Sequence, residues 1–219
     1  MNKLSLISPL FIALLLSSCG GGEQKPDLPT ADQASEEVAK ACTYAYTDAP
    51  AEVLWVAYKY TEKVGVKGVF EEATVTAGGA GPLVADALIG TSINIATASN
   101  NSGDPTRDPK IKSSFFGMLQ GGETITGTIT SAEGDEQSGT VTADITMNGN
   151  TQPVSGSYEL TDDNIEMKFE LSVASWSAMD ALNELNKVCE DLHKGADGKS
   201  ILWPDVTVFV STKLAVDCN

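Results

Sequence analysis

Cysteine and histidine are the residues of this sequence most suited to chemistry, and they are few: Cys19, Cys42, Cys189, Cys218 and the single His193. A zinc site or a dithiol redox centre needs its thiols clustered, typically as Cys-x-x-Cys, and no such pair occurs. A hydrolase nucleophile needs a positioned base and, in many folds, a Gly-x-Ser-x-Gly elbow. That motif is missing, and His193 falls at the end of a candidate helix with no nucleophile beside it. The run Gly78-Gly79-Ala80-Gly81 lacks the Lys-Ser/Thr of a phosphate loop, and Asp191 to Gly198 lacks the spacing of a calcium loop. Carboxylate pairs such as Glu71-Glu72, Asp135-Glu136 and Asp162-Asp163 read as solvated surface. No catalytic residue and no metal ligand is assigned, and an enzyme is not expected.

Cys19 has a different meaning. Lys3 supplies a short positive region, Leu4 to Leu16 form an apolar run too short to span a bilayer, and Leu16-Ser17-Ser18-Cys19 closes it. This ending resembles the lipobox of bacterial lipoproteins, which implies that residues 1–18 are a cleaved signal and that Cys19 receives the lipid. Gly20-Gly21-Gly22 and the polar run to Thr30 suit a flexible tether, so residues 19–41 are read as a linker, with a short helix over Thr30 to Ala41. Two or three acyl chains, at about 0.8 kcal/mol per buried CH₂, hold a protein at a membrane surface without a transmembrane helix. The expectation is an exported, membrane-anchored lipoprotein in the periplasm or at the outer membrane.

The remaining chain, 42–219, is the length of one ordinary domain. With 14 Lys and Arg against 30 Asp and Glu, the whole sequence has a formal charge of −16, which argues against a nucleic-acid partner, since phosphate recognition relies on concentrated cations. Outside the cytoplasm, Cys42, Cys189 and Cys218 can supply one disulfide and one leftover thiol.

From Glu52 onward the hydrophobic pattern has period two. Strands are predicted at 52–62, 66–76, 87–97, 124–131, 137–147, 153–160, 165–173 and 205–216, separated by turn residues. In Ile165-Glu166-Met167-Lys168-Phe169-Glu170-Leu171-Ser172-Val173 every odd position is apolar, which gives one buried face and one wet face. Asn148-Gly149 has the composition of a type I′ hairpin turn. One helix is predicted at 178–193: Leu182, Leu185, Cys189 and Leu192 share a stripe, Ser177-Ala178-Met179-Asp180 resembles a capping box, and Gly195 is placed to end it. Eight strands with mostly short connections imply an all-β, antiparallel up-and-down barrel with one inserted helix, because closure removes exposed edges. With an even strand number the first and last strands are antiparallel neighbours. Cys42 and Cys218 then share one end while Cys189 lies at the other, so a Cys42–Cys218 disulfide is predicted, stabilising by about 4 kcal/mol in a chain-entropy model.

Four stretches resemble the YceI-like lipid-binding domain family. They are Trp55-Val56-Ala57-Tyr58-Lys59-Tyr60-Thr61 followed by Val66-Lys67-Gly68-Val69-Phe70; Arg107-Asp108-Pro109-Lys110-Ile111-Lys112-Ser113-Ser114-Phe115-Phe116; Ile145 to Val154; and Asp205 to Leu214. The histidine often found after the family's Arg-Asp pair is replaced by Pro109-Lys110. The resemblance implies a lipocalin-like, non-catalytic barrel that carries or sequesters a long-chain apolar ligand, an isoprenoid or other lipid, with no further cofactor.

An eight-stranded barrel has room for side chains or one slender ligand. Met167, Phe169 and Leu171, with Val206, Val208 and Val210, are candidates to line it, and an aromatic content of only 6% leaves space inside. Lys59 alternates onto the face of Trp55 and Ala57: turned inward it needs a carboxylate or an anionic head group, while at the rim it meets water. Arg107 and Asp108 are expected to hold their loop by a mutual or backbone ion pair, and Phe115-Phe116 to plug the mouth, with the helix and the 98–122 connection as a lid. The mouth would then lie opposite the tether. The competing reading is a filled barrel acting as a structural or protein-interaction module of the envelope.

Overall fold

The computed structural model describes residues 41–219; the signal at 1–18, Cys19 and all but the last residue of the linker and its candidate helix lie outside the described residues. Twelve strand segments follow one another as β1 (Cys42–Tyr46), β2 (Glu52–Lys59), β3 (Val64–Phe70), β4 (Ala73–Thr76), β5 (Ala80–Gly81), β6 (Ser92–Ala96), β7 (Asn100–Asn101), β8 (Thr124–Gly134), β9 (Ser138–Met147), β10 (Asn150–Thr161), β11 (Asn164–Ser172) and β12 (Leu202–Cys218). Between them lie α1 (Val84–Leu88), α2 (Asp108–Ser114), α3 (Met179–Val188) and α4 (Glu190–His193).

Every pairing is antiparallel. β2 pairs β3 on one side and β12 on the other, and β12 passes the ladder through β11, β10, β9 and β8 to β6, which pairs β4. β4 directly continues β3, kinked at Glu71-Glu72, and β7 directly continues β6 through a 3₁₀ turn at Thr97–Ser99. The pairs Phe70↔Asn100 and Ala73↔Ile95, with bonds from Glu71 N–H to Ser99 O and from Ala96 N–H to Glu72 O, keep the two composite strands together across the kink. Likewise β1 and β2 lie end to end along the 17-residue β12. The segments therefore merge into eight barrel strands, and the ring closes.

The strands obey the alternation of their sequence. In β11, Ile165, Met167 and Phe169 are buried and the residues between them exposed. Asn148 and Gly149 both take positive φ, 51° and 67°, as a type I′ turn requires. Gly68 opposes Trp55, and a Cβ at that position would sit 2.2 Å from the indole ring, so only glycine admits the tryptophan. Cys42 and Cys218 are paired in register and form the disulfide; Cys189 is a buried free thiol.

Four expectations are corrected. Ala87 and Leu88, expected to open the 87–97 strand, instead close the helical turn Val84–Leu88, since Val84, Ala87 and Leu88 at helical spacing are all buried and the strand starts only at Ser92. The 98–122 connection is not bare loop but contains α2. The helix predicted at 178–193 breaks at Cys189 into α3 and α4, and this turn of direction leaves Leu192 at 49% exposure, off the buried stripe. No capping box forms there, because Ser177 is left-handed and Ala178 takes the cap position without a side-chain bond.

Helical segments stopper both ends. At the disulfide end, α1 packs Val84, Ala87 and Leu88 with Tyr44, Ile129, Val141, Met167 and Leu214. At the other end, Leu182 and Ala181 of α3, the 3₁₀ turn Val173–Trp176, and Phe115, Phe116 and Leu119 after α2 pack with Trp55 and Phe70. The mouth is thus covered by the expected lid and plugged by the two phenylalanines, since these segments carry enough apolar surface to fill it.

Candidate ligand cavity

Between the stoppers the barrel keeps a cavity of about 130 Å³, walled almost entirely by carbon. Period-two alternation builds it: Met167, Phe169 and Leu171 come from β11, Val208 and Val210 from β12, Ile125 and Ile129 from β8, and Ile93 and Ile95 from β6. Ala87 and Leu88 of α1 form its floor and Trp176 part of its roof. Trp176 is held because its indole N–H donates to the Ile145 carbonyl at 2.9 Å, while the Asn148 amide donates to the carbonyl of Trp176 at 2.8 Å. A buried indole needs such a partner, and here the partner fixes its ring across the lumen.

Of the residues expected in the lumen, Met167, Phe169, Leu171, Val208 and Val210 line the cavity. Val206 packs against the upper core cluster above it. Trp55 belongs to that cluster too: it is 8% exposed, and its indole N–H donates to Asn100 Oδ1 at 3.0 Å. Phe115 and Phe116 meet edge to face, and Phe116 packs edge-on to Phe70, so they form the stopper and not the cavity wall. Arg107 lies away from the cavity. Its guanidinium donates to the Ser102 hydroxyl and carbonyl, both at 2.8 Å, and Asp108 accepts from Ser102 N–H at 2.8 Å and from the Asn100 amide at 3.2 Å. The two clamp the loop through the backbone as expected, but by way of Ser102 and not by a mutual ion pair. Lys59 reaches the rim, where its ammonium donates to the Leu192 carbonyl at 3.0 Å and lies 4.5 Å above the Tyr60 ring.

Reasoning from sequence misses Trp176, the α1 floor and the isoleucines of β6 and β8. The alternation of Ile93 with Ile95, and of Ile125 with Ile129, is a usable signal. The floor and the roof have none, because both come from connections between strands.

His193 is 8% exposed and bonds Asn186 Oδ1 through Nδ1 at 2.8 Å, so Nδ1 carries the proton in the neutral ring. Burial first, then the cations Lys59, Arg107 and Lys110, lower its pKa from 6.5 to about 4. Among the described residues no group of three or more His, Cys, Asp or Glu is placed to hold a metal ion.

A closed antiparallel barrel, stoppered at both ends around an apolar cavity, has lipocalin-like architecture. The YceI-like domain model matches residues 44–214, and the chain belongs to that family. Solved structures share the fold at low identity. A polyisoprenoid binding domain from Saccharophagus degradans aligns with a TM-score of 0.54 at 15% identity, covering 82% of this chain and 99% of its own. Burkholderia cenocepacia BcnA gives 0.53 at 14%, with 75% and 96% covered, and the Campylobacter jejuni YCEI protein gives 0.51 at 15%, with 74% and 89% covered. No curated protein sequence matches the chain.

Proposed function

We propose that this chain is a non-catalytic lipid carrier or sequestering protein that takes a long apolar chain, isoprenoid or fatty, into its barrel. The observation that carries the reading is the carbon-lined cavity inside a closed barrel. Protein interiors are normally packed without voids larger than a water, so an apolar space of this size is a departure that favours a ligand over the filled-barrel module. A comparable apolar cavity of about 150 Å³ stays dry and accepts benzene. At about 130 Å³ the space as it stands takes a slim segment of chain. A longer one extends toward α3 by displacing Leu182, Leu185 and the phenylalanines, and the unbranched Met147 and Met167 adapt around it. Membership of the YceI-like family, and the shared fold of the Saccharophagus degradans polyisoprenoid binding domain, point the same way.

The proposal includes the tether: Cys19 carries the lipid, and the barrel works outside the cytoplasm at a membrane surface, consistent with an oxidising compartment for Cys42–Cys218. Mass spectrometry of lipid extracted from protein purified from its own membranes should show one long-chain species per barrel. Val210→Trp, which fills the lumen, should abolish it while the protein stays folded; an empty native protein that also fails to bind added lipid would sink the reading. Acyl groups on the Cys19 peptide, lost together with membrane association in Cys19→Ser, test the anchor.

A further inference from the structure

The lid end holds a group of cations that lack carboxylate partners in ion-pair contact. Lys59 is the last residue of β2, on the inward face of the barrel, where alternation calls for an apolar side chain. Its ammonium has three donors, yet no carboxylate lies within ion-pair distance of it, and the same holds for Arg107 and Lys110 among the described residues. Asp104 and Asp108 offset Arg107 locally: Asp104 is held below its ordinary value chiefly by Thr106, with Arg107 contributing least, and Asp108 shares Ser102 with the guanidinium. Lys59, from the barrel, and Lys110, from α2, make no ion pair among the described residues, and both act on the imidazole of His193 from outside its own element. The carboxylates nearest in sequence to His193, Glu190 and Asp191, face Lys194 at 3.7 and 3.8 Å. In a chain of net charge −16, this is a local site of the opposite sign.

We propose that Lys59, whose ammonium bonds the carbonyl of the residue before His193, forms with Lys110 of α2 a head-group site for an amphiphile ending in a carboxylate or phosphate, whose chain runs down into the lumen. The proposal rests on the lipid-binding reading and adds the polar end of the ligand. The cavity begins near Leu171, level with Ala57 two residues from Lys59, and reaches Val53, six residues along β2 from Lys59 or about 20 Å at roughly 3.3 Å per residue. A long-chain carboxylate spans a comparable distance. When the tail displaces the stopper, Lys59 exchanges the Leu192 carbonyl for the anion, which removes one of the bonds that tie α4 to the rim. The anion also offsets the cations around His193, so the ring takes a proton from solvent more readily.

The single histidine makes the test direct. In tag-free, ¹⁵N-labelled protein, the His193 ring is titrated by NMR alone and with palmitate, hexadecanol or inorganic phosphate. Palmitate should raise the midpoint by about one pH unit or more, the effect of one charge at close range, and hexadecanol should leave it in place. Lys59→Gln should weaken palmitate about tenfold and leave hexadecanol unchanged. Lys110→Gln should act in the same direction, and unchanged thermal unfolding in either variant ties the loss to charge. If palmitate and hexadecanol bind alike and neither lysine matters, the head-group site is overturned while the lumen reading stands. If phosphate alone moves His193 as far as palmitate does, the cluster takes a free anion and the amphiphile proposal is overturned. If neither amphiphile binds, the lumen reading fails with it.

Discussion

His193 gives the barrel an acid-sensitive lid. Its folded pKa of about 4 lies below the 6.5 of an exposed imidazole, so the unfolded chain binds the extra proton between these values. Stability contributed by the neutral ring is full above about pH 6.5 and is lost as pH falls toward 4, a loss on the order of 2 kcal/mol. His193→Gln should flatten urea-unfolding stability over that window. Asp135, held low by the N–H groups of Gln137 and Ser138, and Asp163, held low by Lys213, act in the same direction but only nearer and below the ordinary aspartate range. Trp55 and Asn100 make the second residue-scale case. Trp55→Phe leaves the Oδ1 of Asn100, a residue 2% exposed, without its indole donor, and should cost about 1–3 kcal/mol in chemical denaturation.

Among the elements, α1 and the α2–α3 lid do opposite jobs at the two ends. α1 is short, and Leu83 N–H donates to the Asp86 carboxylate at 3.0 Å, which fastens its first turn. Its contribution is the floor made by Ala87 and Leu88. Leu88→Ala should cost about 2–5 kcal/mol by calorimetry and enlarge the lumen, so that a bulky apolar probe binds more tightly than to the parent protein. The lid is built differently. α2 is tied down through Ser102, Asn100 and Trp55, whereas α3 and α4 meet the rest of the barrel through Ala181, Leu182 and Leu185, the Lys59–Leu192 bond, and the bonds of Asn186 and His193 to Ser200 and Ile201 just ahead of β12. Local opening therefore belongs to α3–α4. Hydrogen exchange should find faster amide exchange there than in β9 to β12, and slower exchange once a lipid is bound.

For the whole molecule, the disulfide closes the chain over a separation of 176 residues. Constraining so large a loop stabilises by about 4–5 kcal/mol in the chain-entropy model. The Cys42→Ser, Cys218→Ser double variant should lower the urea midpoint with the barrel's far-ultraviolet spectrum preserved. A loss far below 1 kcal/mol would show that the β1–β12 ladder alone holds the end. The described residues begin at this same end, where α1 packs against β1, and the lid lies at the opposite end.

The eight-strand ring, its alternation, the Asn148-Gly149 turn and the Cys42–Cys218 pairing were legible because each follows from local geometry or strand parity. Period two assigns faces, positive φ demands Asn-Gly, and an even strand count makes first and last strands neighbours. β11 and β12 accordingly presented their lumen residues in plain view. Long-range packing decided the rest. Whether an inward residue meets a cavity, as Val210 does, or a stopper, as Trp55 does, depends on α1, α2 and α3, which connect strands and carry no barrel periodicity. Phe115 and Phe116 belong to the plug, Arg107 to the Ser102 clamp and Lys59 to the rim because each depends on a partner distant in sequence. A sequence states which face a side chain takes; only the closed fold states what fills the space in front of it.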